Sequence, residues 1–137
     1  MANLSQTAAN VAAGGNNVAF ALVQAGEAVT QGQPVYQSTS TLKYLQTDAN
    51  DTAAKAVAAG IALTPAASDG YFILARSGPV NLGATLAVGT LYAVSATKGA
   101  ICPVADLGSS EYVTLLGIAT TTALLDLRIS VSGIQKA

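Results

Sequence analysis

The spacing of glycines constrains this chain more than any other feature. Gly26 stands 34 residues before Gly60, and Gly83 stands 34 residues before Gly117. Gly32 and Gly89 each precede the same partners by 28 residues. A Gly-Ile-Ala triplet follows in both copies, at 60–62 and 117–119, and a Ser-Gly pair closes each, at Ser77-Gly78 and Ser132-Gly133. Glycine supplies turn angles and close backbone approaches that other residues resist. Two such sets in register describe two copies of one unit, too few for a solenoid, which needs about three. The expectation is a β domain over residues 25–137 with two pseudo-equivalent halves, 25–78 and 82–133. Residues 1–24 precede it as an N-terminal arm and first strand.

Strand signals dominate both halves. Residues 34–37 and 90–95 form a matched pair, each carrying a Tyr (Tyr36, Tyr92). Residues 42–46 match 100–104, and further strands are expected at 18–23, 71–76, 112–120 and 124–132. In the last of these Leu125, Leu127, Ile129 and Val131 alternate with Asp126, Arg128, Ser130 and Ser132. Period two with one apolar face is the pattern of a half-buried antiparallel strand. One segment competes. Residues 51–59 open on Asp51, a good N-cap, and continue with strong helix formers. A short helix or turn is expected at 51–55, then a strand over 56–63. Gly60 and Gly117 lie inside apolar runs, which predicts bulges or close approach. Short strands at regular spacing, with no βαβ alternation, predict an all-β fold, an antiparallel β-sandwich or small β-barrel. Residues 1–15 are poor in core-forming side chains and read as an extended arm. Such an arm reaches roughly 50 Å, enough to pack on a neighbouring subunit.

Composition excludes much chemistry. The 137 residues include no His and no Trp, so His bases and Ser-His-Asp triads are absent. A single Cys forms no intrachain disulfide and no cysteine-cluster metal site. Only 9% of residues are charged, against about 25% in a typical globular chain. With a net charge of −1 and six cations spread from Lys43 to Lys136, there is no basic field for nucleic acid or anionic lipid. Mean hydropathy is +0.47, yet no run of about 18 apolar residues occurs. No basic residue precedes Lys43, so the start of the chain does not read as a signal peptide. The expectation is a protein of the cytosol. So few charges leave a surface dressed in Thr, Ser, Gln and Asn or buried against partners, which favours a homo-oligomer.

Candidate chemical groups are few. Asp48, Asn50 and Asp51 make an oxygen-rich loop, but the ligands fall short of the six that Ca²⁺ takes and no EF-hand pattern follows. Asp69-Gly70 is a turn dipeptide. No two of the seven acids are paired by the sequence as a glycosidase would need. Cys102 has no His to activate it and reads as a buried, inert thiol. No catalytic residue, metal or cofactor is expected. The residues singled out are the structural turns Gly26, Gly32, Gly60, Gly83, Gly89 and Gly117.

The series GEAVTQGQPVY (26–36), AAGIAL (58–63), SGPVNLGATLAVGTLYAVSATKGAICPVADL (77–107), YVTLLGIAT (112–120) and LDLRISVSG (125–133) resembles the decoration or head-cement proteins of tailed bacteriophage capsids. It covers residues 25–133. The resemblance implies a virion protein on the capsid exterior. It would bind major capsid protein, with no cofactor, as a homo-oligomer of which the trimer is favoured. Related modules occur in head fibres and tails. A fibre- or tail-associated module contacting another virion protein or a host glycan is therefore the alternative.

Overall fold

A computed structural model describes residues 3–137 of the chain. It is all-β and antiparallel, with a strongly curled sheet. The strands are β1 (Val11–Ala13), β2 (Ala19–Gln24), β3 (Pro34–Gln37), β4 (Tyr44–Gln46), β5 (Gly60–Ala62), β6 (Tyr71–Leu82), β7 (Leu91–Val94), β8 (Ile101–Pro103), β9 (Tyr112–Ala119) and β10 (Leu124–Gln135). Three single 3₁₀ turns, at Ala8–Asn10, Ala54–Ala56 and Val104–Asp106, are the only helical pieces among the described residues. The strands run in the order β4-β3-β5-β6-β10-β9-β7-β8, and β1 and β2 both pair with β6.

This order contains one unit twice. In the first unit β4, β3, β5 and the start of β6 lie side by side, with β2 on the far flank of β6. In the second β8, β7, β9 and β10 lie side by side, with the end of β6 on the far flank of β10. Val35 pairs with Gly60, and Tyr92 with Gly117. At Gly60 an added Cβ would collide with the carbonyl oxygen of Ala75; at Gly117 it would collide with that of Asp126. These two glycines let neighbouring strands approach. Gly32 and Gly89 are equivalent in another sense, both left-handed at φ 89° and 84°. Gly26 and Gly83 differ, since only Gly83 has a positive φ, 70°.

The closing Ser-Gly pairs are not equivalent. Ala62 pairs with Leu74, twelve residues on, whereas Ala119 pairs with Leu125, six residues on. The second hairpin is six residues shorter, so Gly78 lies inside β6 while Gly133 lies near the end of β10.

The largest apolar cluster joins the units. Ile61 and Ala75, on the outside of the first unit, pack with Tyr92, Val94, Leu116, Leu125 and Leu127 of the second. A second cluster fills the first unit with Val23, Val35, Tyr44, Phe72 and Leu74. There Tyr44 and Phe72 meet edge to face, centroids 6.4 Å apart. Each fully buried aliphatic side chain contributes about 1.5–3 kcal/mol. The joining cluster therefore makes the two units one cooperative body.

Three expectations are corrected. The arm is not a loose extension: from Asn3 onward its residues are packed on their own chain, and its first two lie outside the described residues. Leu4 N donates to Ile101 O (2.8 Å) and Thr7 N to Gly83 O (2.7 Å). Gln6 Nε2 donates to Gly32 O and Leu82 O. β1 pairs with β6 and buries Val11 in the joining cluster. These residues close the second unit between β8 and β6, a role that Gly26 N, bonded to Tyr44 O, plays in the first. The short helix or turn expected at 51–55 is the 3₁₀ turn at Ala54–Ala56. Asp51 makes no N-cap, because its carboxylate is taken by Lys55 at 2.5 Å. The strand expected over 56–63 is only β5. β6 runs past residue 76 to Leu82, through a Ser-Gly-Pro that resembles a strand stop.

Two predictions follow from these contacts. Gly60→Ala and Gly117→Ala are each expected to cost more than about 2 kcal/mol, because the carbonyl in the way is backbone. Gly89→Ala meets open space and is expected to cost only about 1 kcal/mol, from its positive φ. Chemical denaturation of the three variants checks the ranking. Deleting residues 1–13 is expected to lower Tm by more than about 5 °C, since it removes β1 and uncovers the edge of β6. An unchanged Tm would return the segment to the role of a loose arm.

Candidate interaction surface

Five of the thirteen charged side chains converge on one cleft of about 180 Å³, lined by Glu27, Asp48, Asp51, Lys55 and Lys98 with Tyr36 and Gln46. The β3–β4 side of the first unit supplies most of it, and the turn before β8 supplies Lys98. Each group has a partner. Glu27 accepts Lys98 Nζ at 2.6 Å and Gln46 N at 2.9 Å. Asp51 accepts Lys55 Nζ, and this bond to Asp51 raises the Lys55 pKa above its ordinary value. Asp48 accepts Asn50 N at 2.9 Å, a local Asx turn. The oxygen-rich loop seen in the sequence is thus spent on ion pairs and backbone. Among the described residues no group of three metal-ligating side chains forms.

Partnering extends to the other cations. Lys43 pairs with Asp69 and Arg128 with Asp126. Arg76 donates to Tyr44 Oη, and Lys136 to Leu107 O. No buried side-chain polar atom among the described residues lacks a hydrogen bond. Exposed pairs of this kind contribute about 1 kcal/mol or less. Their consequence is a surface with little unpaired charge to offer a ligand.

What the surface offers instead is apolar. Phe20 and Leu22 of β2 and Tyr71 and Ile73 of β6 point outward from the first unit, exposed by 55%, 72%, 63% and 40%. They are neighbours, because Leu22 pairs with Ile73 and Gln24 with Tyr71. Phe20, Leu22 and Ile73 line one open groove with Ala21 and Leu63. Strand alternation produces the patch: Val23, Phe72 and Leu74 point into the unit, so their neighbours in sequence point out. In sequence residues 18–23 are apolar throughout, Val-Ala-Phe-Ala-Leu-Val, which does not mark the buried face.

The five tyrosines all lie on strands, but only Tyr44 and Tyr92 are buried. The glycines singled out from the sequence line no common site. Gly32 and Gly83 both lie against Val11, Gly26 lies against Leu45, and Gly89 stands clear. Their work is in the fold.

Cys102 of β8 is fully buried beside Ala93 and Leu107. Burial pushes its thiol from an ordinary 9.0 up to about 11, partly offset by a hydrogen bond with Ser95. The neutral thiol is the weak nucleophile. The native chain keeps its proton up to about pH 11 while the unfolded chain loses it near pH 9. Stability is therefore full below pH 9 and falls between pH 9 and 11, by roughly 2–3 kcal/mol. Subtracting the profile of Cys102→Ala from that of the parent chain isolates this loss. A flat difference would show that the site is open to water.

No protein-family model, no curated protein and no solved structure matches this chain.

Proposed function

We propose that the chain is a structural virion protein that decorates the outside of a phage capsid and stabilises it by bridging major capsid protein subunits. The observation that carries this reading is the ordered series of glycine turns and strands over residues 25–133. Two further features support it. All six cations are engaged within the chain, and the exposed apolar residues suit adhesion rather than chemistry. In this reading the chain is no enzyme, needs no cofactor, and acts as a homo-oligomer, for which the resemblance implies a trimer.

Cementing is a linkage effect. A protein that binds the assembled shell but not its separated subunits stabilises the shell by mass action. Many weak contacts suffice, because a second contact made from an already attached oligomer is effectively intramolecular. Contacts made through apolar, Thr/Ser and backbone groups are weakly screened by salt, unlike contacts between exposed charges.

Particles lacking this protein are expected to release their contents at a lower temperature than complete ones. Adding the purified chain back is expected to restore the difference, with little dependence on salt. Copy number in purified particles decides between the two virion locations. Hundreds of copies fit the shell; a handful, on particles of unchanged robustness, would overturn the decoration reading in favour of the fibre or tail module.

A further inference from the structure

β2 is unlike the other outer strands. β4 is three residues long, follows Lys43, and is closed at one end by the bridge between Ala25 and Tyr44. β8 is three residues long, ends in Pro103, and has Leu4 bonded to Ile101 O. β1 is three residues long. β2 has six residues, Ala-Phe-Ala-Leu-Val-Gln, with no charge and no proline, and among the described residues only β6 pairs with it. Natural proteins shorten, charge or cover such an edge, because its unpaired N–H and C=O groups template another strand.

The chain itself shows what covers the matching edge. In the second unit the counterpart of β2 is the end of β6, and β1, the short apolar strand Val-Ala-Ala, pairs antiparallel with it. The outer face beside β2 is likewise the continuation of an interface already in place. Ala75, Ile61 and Leu63 on that face are covered by the second unit. Phe20, which pairs with Ala75, and Ile73 carry the same apolar surface beyond that cover.

We propose that β2 and the patch of Phe20, Leu22, Tyr71 and Ile73 form the contact between two copies of this chain, by antiparallel pairing of β2 with β2 about a two-fold axis at Ala21. The strand is self-complementary about that residue. Phe20 of each copy falls opposite Leu22 of the other, and Ala19 opposite Val23. Aromatic–aliphatic cross-strand pairs of this type are favourable, and an isologous two-fold contact needs no second surface. The four exposed side chains offer on the order of 400 Å² per copy, about half of the roughly 800 Å² per partner of a standard complex. The pair is therefore expected to be reversible and to depend on concentration. It builds pairs in the free chain; the three-fold ring that the resemblance implies would need β2 to meet a different edge, so a free trimer counts against this contact.

Sedimentation of the purified full chain over a concentration series tests this. The expected result is a monomer–dimer equilibrium, lost in Leu22→Lys and kept in Leu42→Lys, which charges another exposed leucine outside the patch. Hydrogen exchange on the parent chain gives a reading that needs no variant. Backbone amides of residues 19–23 are expected to gain protection as concentration rises. A monomer at all concentrations, a dimer or trimer indifferent to Leu22→Lys, or protection of β2 that appears only on capsids would each overturn the proposal. The contact is a property of the free chain. A monomer that still stabilises particles would remove this inference and leave the capsid reading standing, and a dimer with no effect on particles would do the reverse.

Discussion

Everything else in this molecule depends on one strand serving two units. β6 spends its first half, to Ser77, as the strand between β5 and β2, and its second half as the strand beside β10. The change occurs at Gly78. Its φ is 102°, and the backbone of Asn17 and Val18 lies where a Cβ would be. A side chain there would have to displace backbone, which is costly. Because the two units share a strand, neither can drift from the other. The outer face of the first is then held against the interior of the second, at Ile61 and Ala75.

The same geometry makes the duplication unequal. Ile61 is buried between the units, while its counterpart Ile118, on the corresponding face of the second unit, is 39% exposed. The N-terminal segment deals with the other end. It inserts at Leu4–Thr7 between β8 and β6 and adds β1 to the edge of β6. The first unit has no such segment to spare. Its interior is closed by direct contact of Gly26 and Ala25 with Tyr44, and its flank at β2 stays bare.

Much of this was legible in the residues, and the exceptions have physical causes. Glycine spacing carried the duplication because backbone collisions at Gly60 and Gly117 admit nothing larger, whatever surrounds them. It failed at the Ser-Gly pairs because a hairpin shortened by six residues restores the same dipeptide by coincidence of composition. Residues 51–59 have helix propensity, but a turn of that length gains little from propensity alone. Here the backbone is bonded elsewhere: Tyr112 N to Ala49 O, Asp48 N to Lys55 O and Ala59 N to Val35 O. β1 was missed because Val-Ala-Ala carries no strand pattern by itself; only the edge of β6 makes it one. The apolar patch was not legible because residues 18–23 are apolar throughout, so their sequence does not mark which face is buried.

The charges complete the argument. In a chain this poor in them, ion pairs and hydrogen bonds still engage all six cations, three of the pairs at 2.5–2.6 Å. Lys98 and Glu27 join a turn of the second unit to the first. Ion pairs on an exposed surface stabilise a fold little. Their larger effect is on what remains: neutral side chains, strand edges and apolar patches. Attraction through such groups is short-ranged and gives no long-range steering. A protein built this way associates slowly with a single partner and holds well only where many contacts are offered together. The low charge and the apolar edge at β2 thus leave association to short-range contacts.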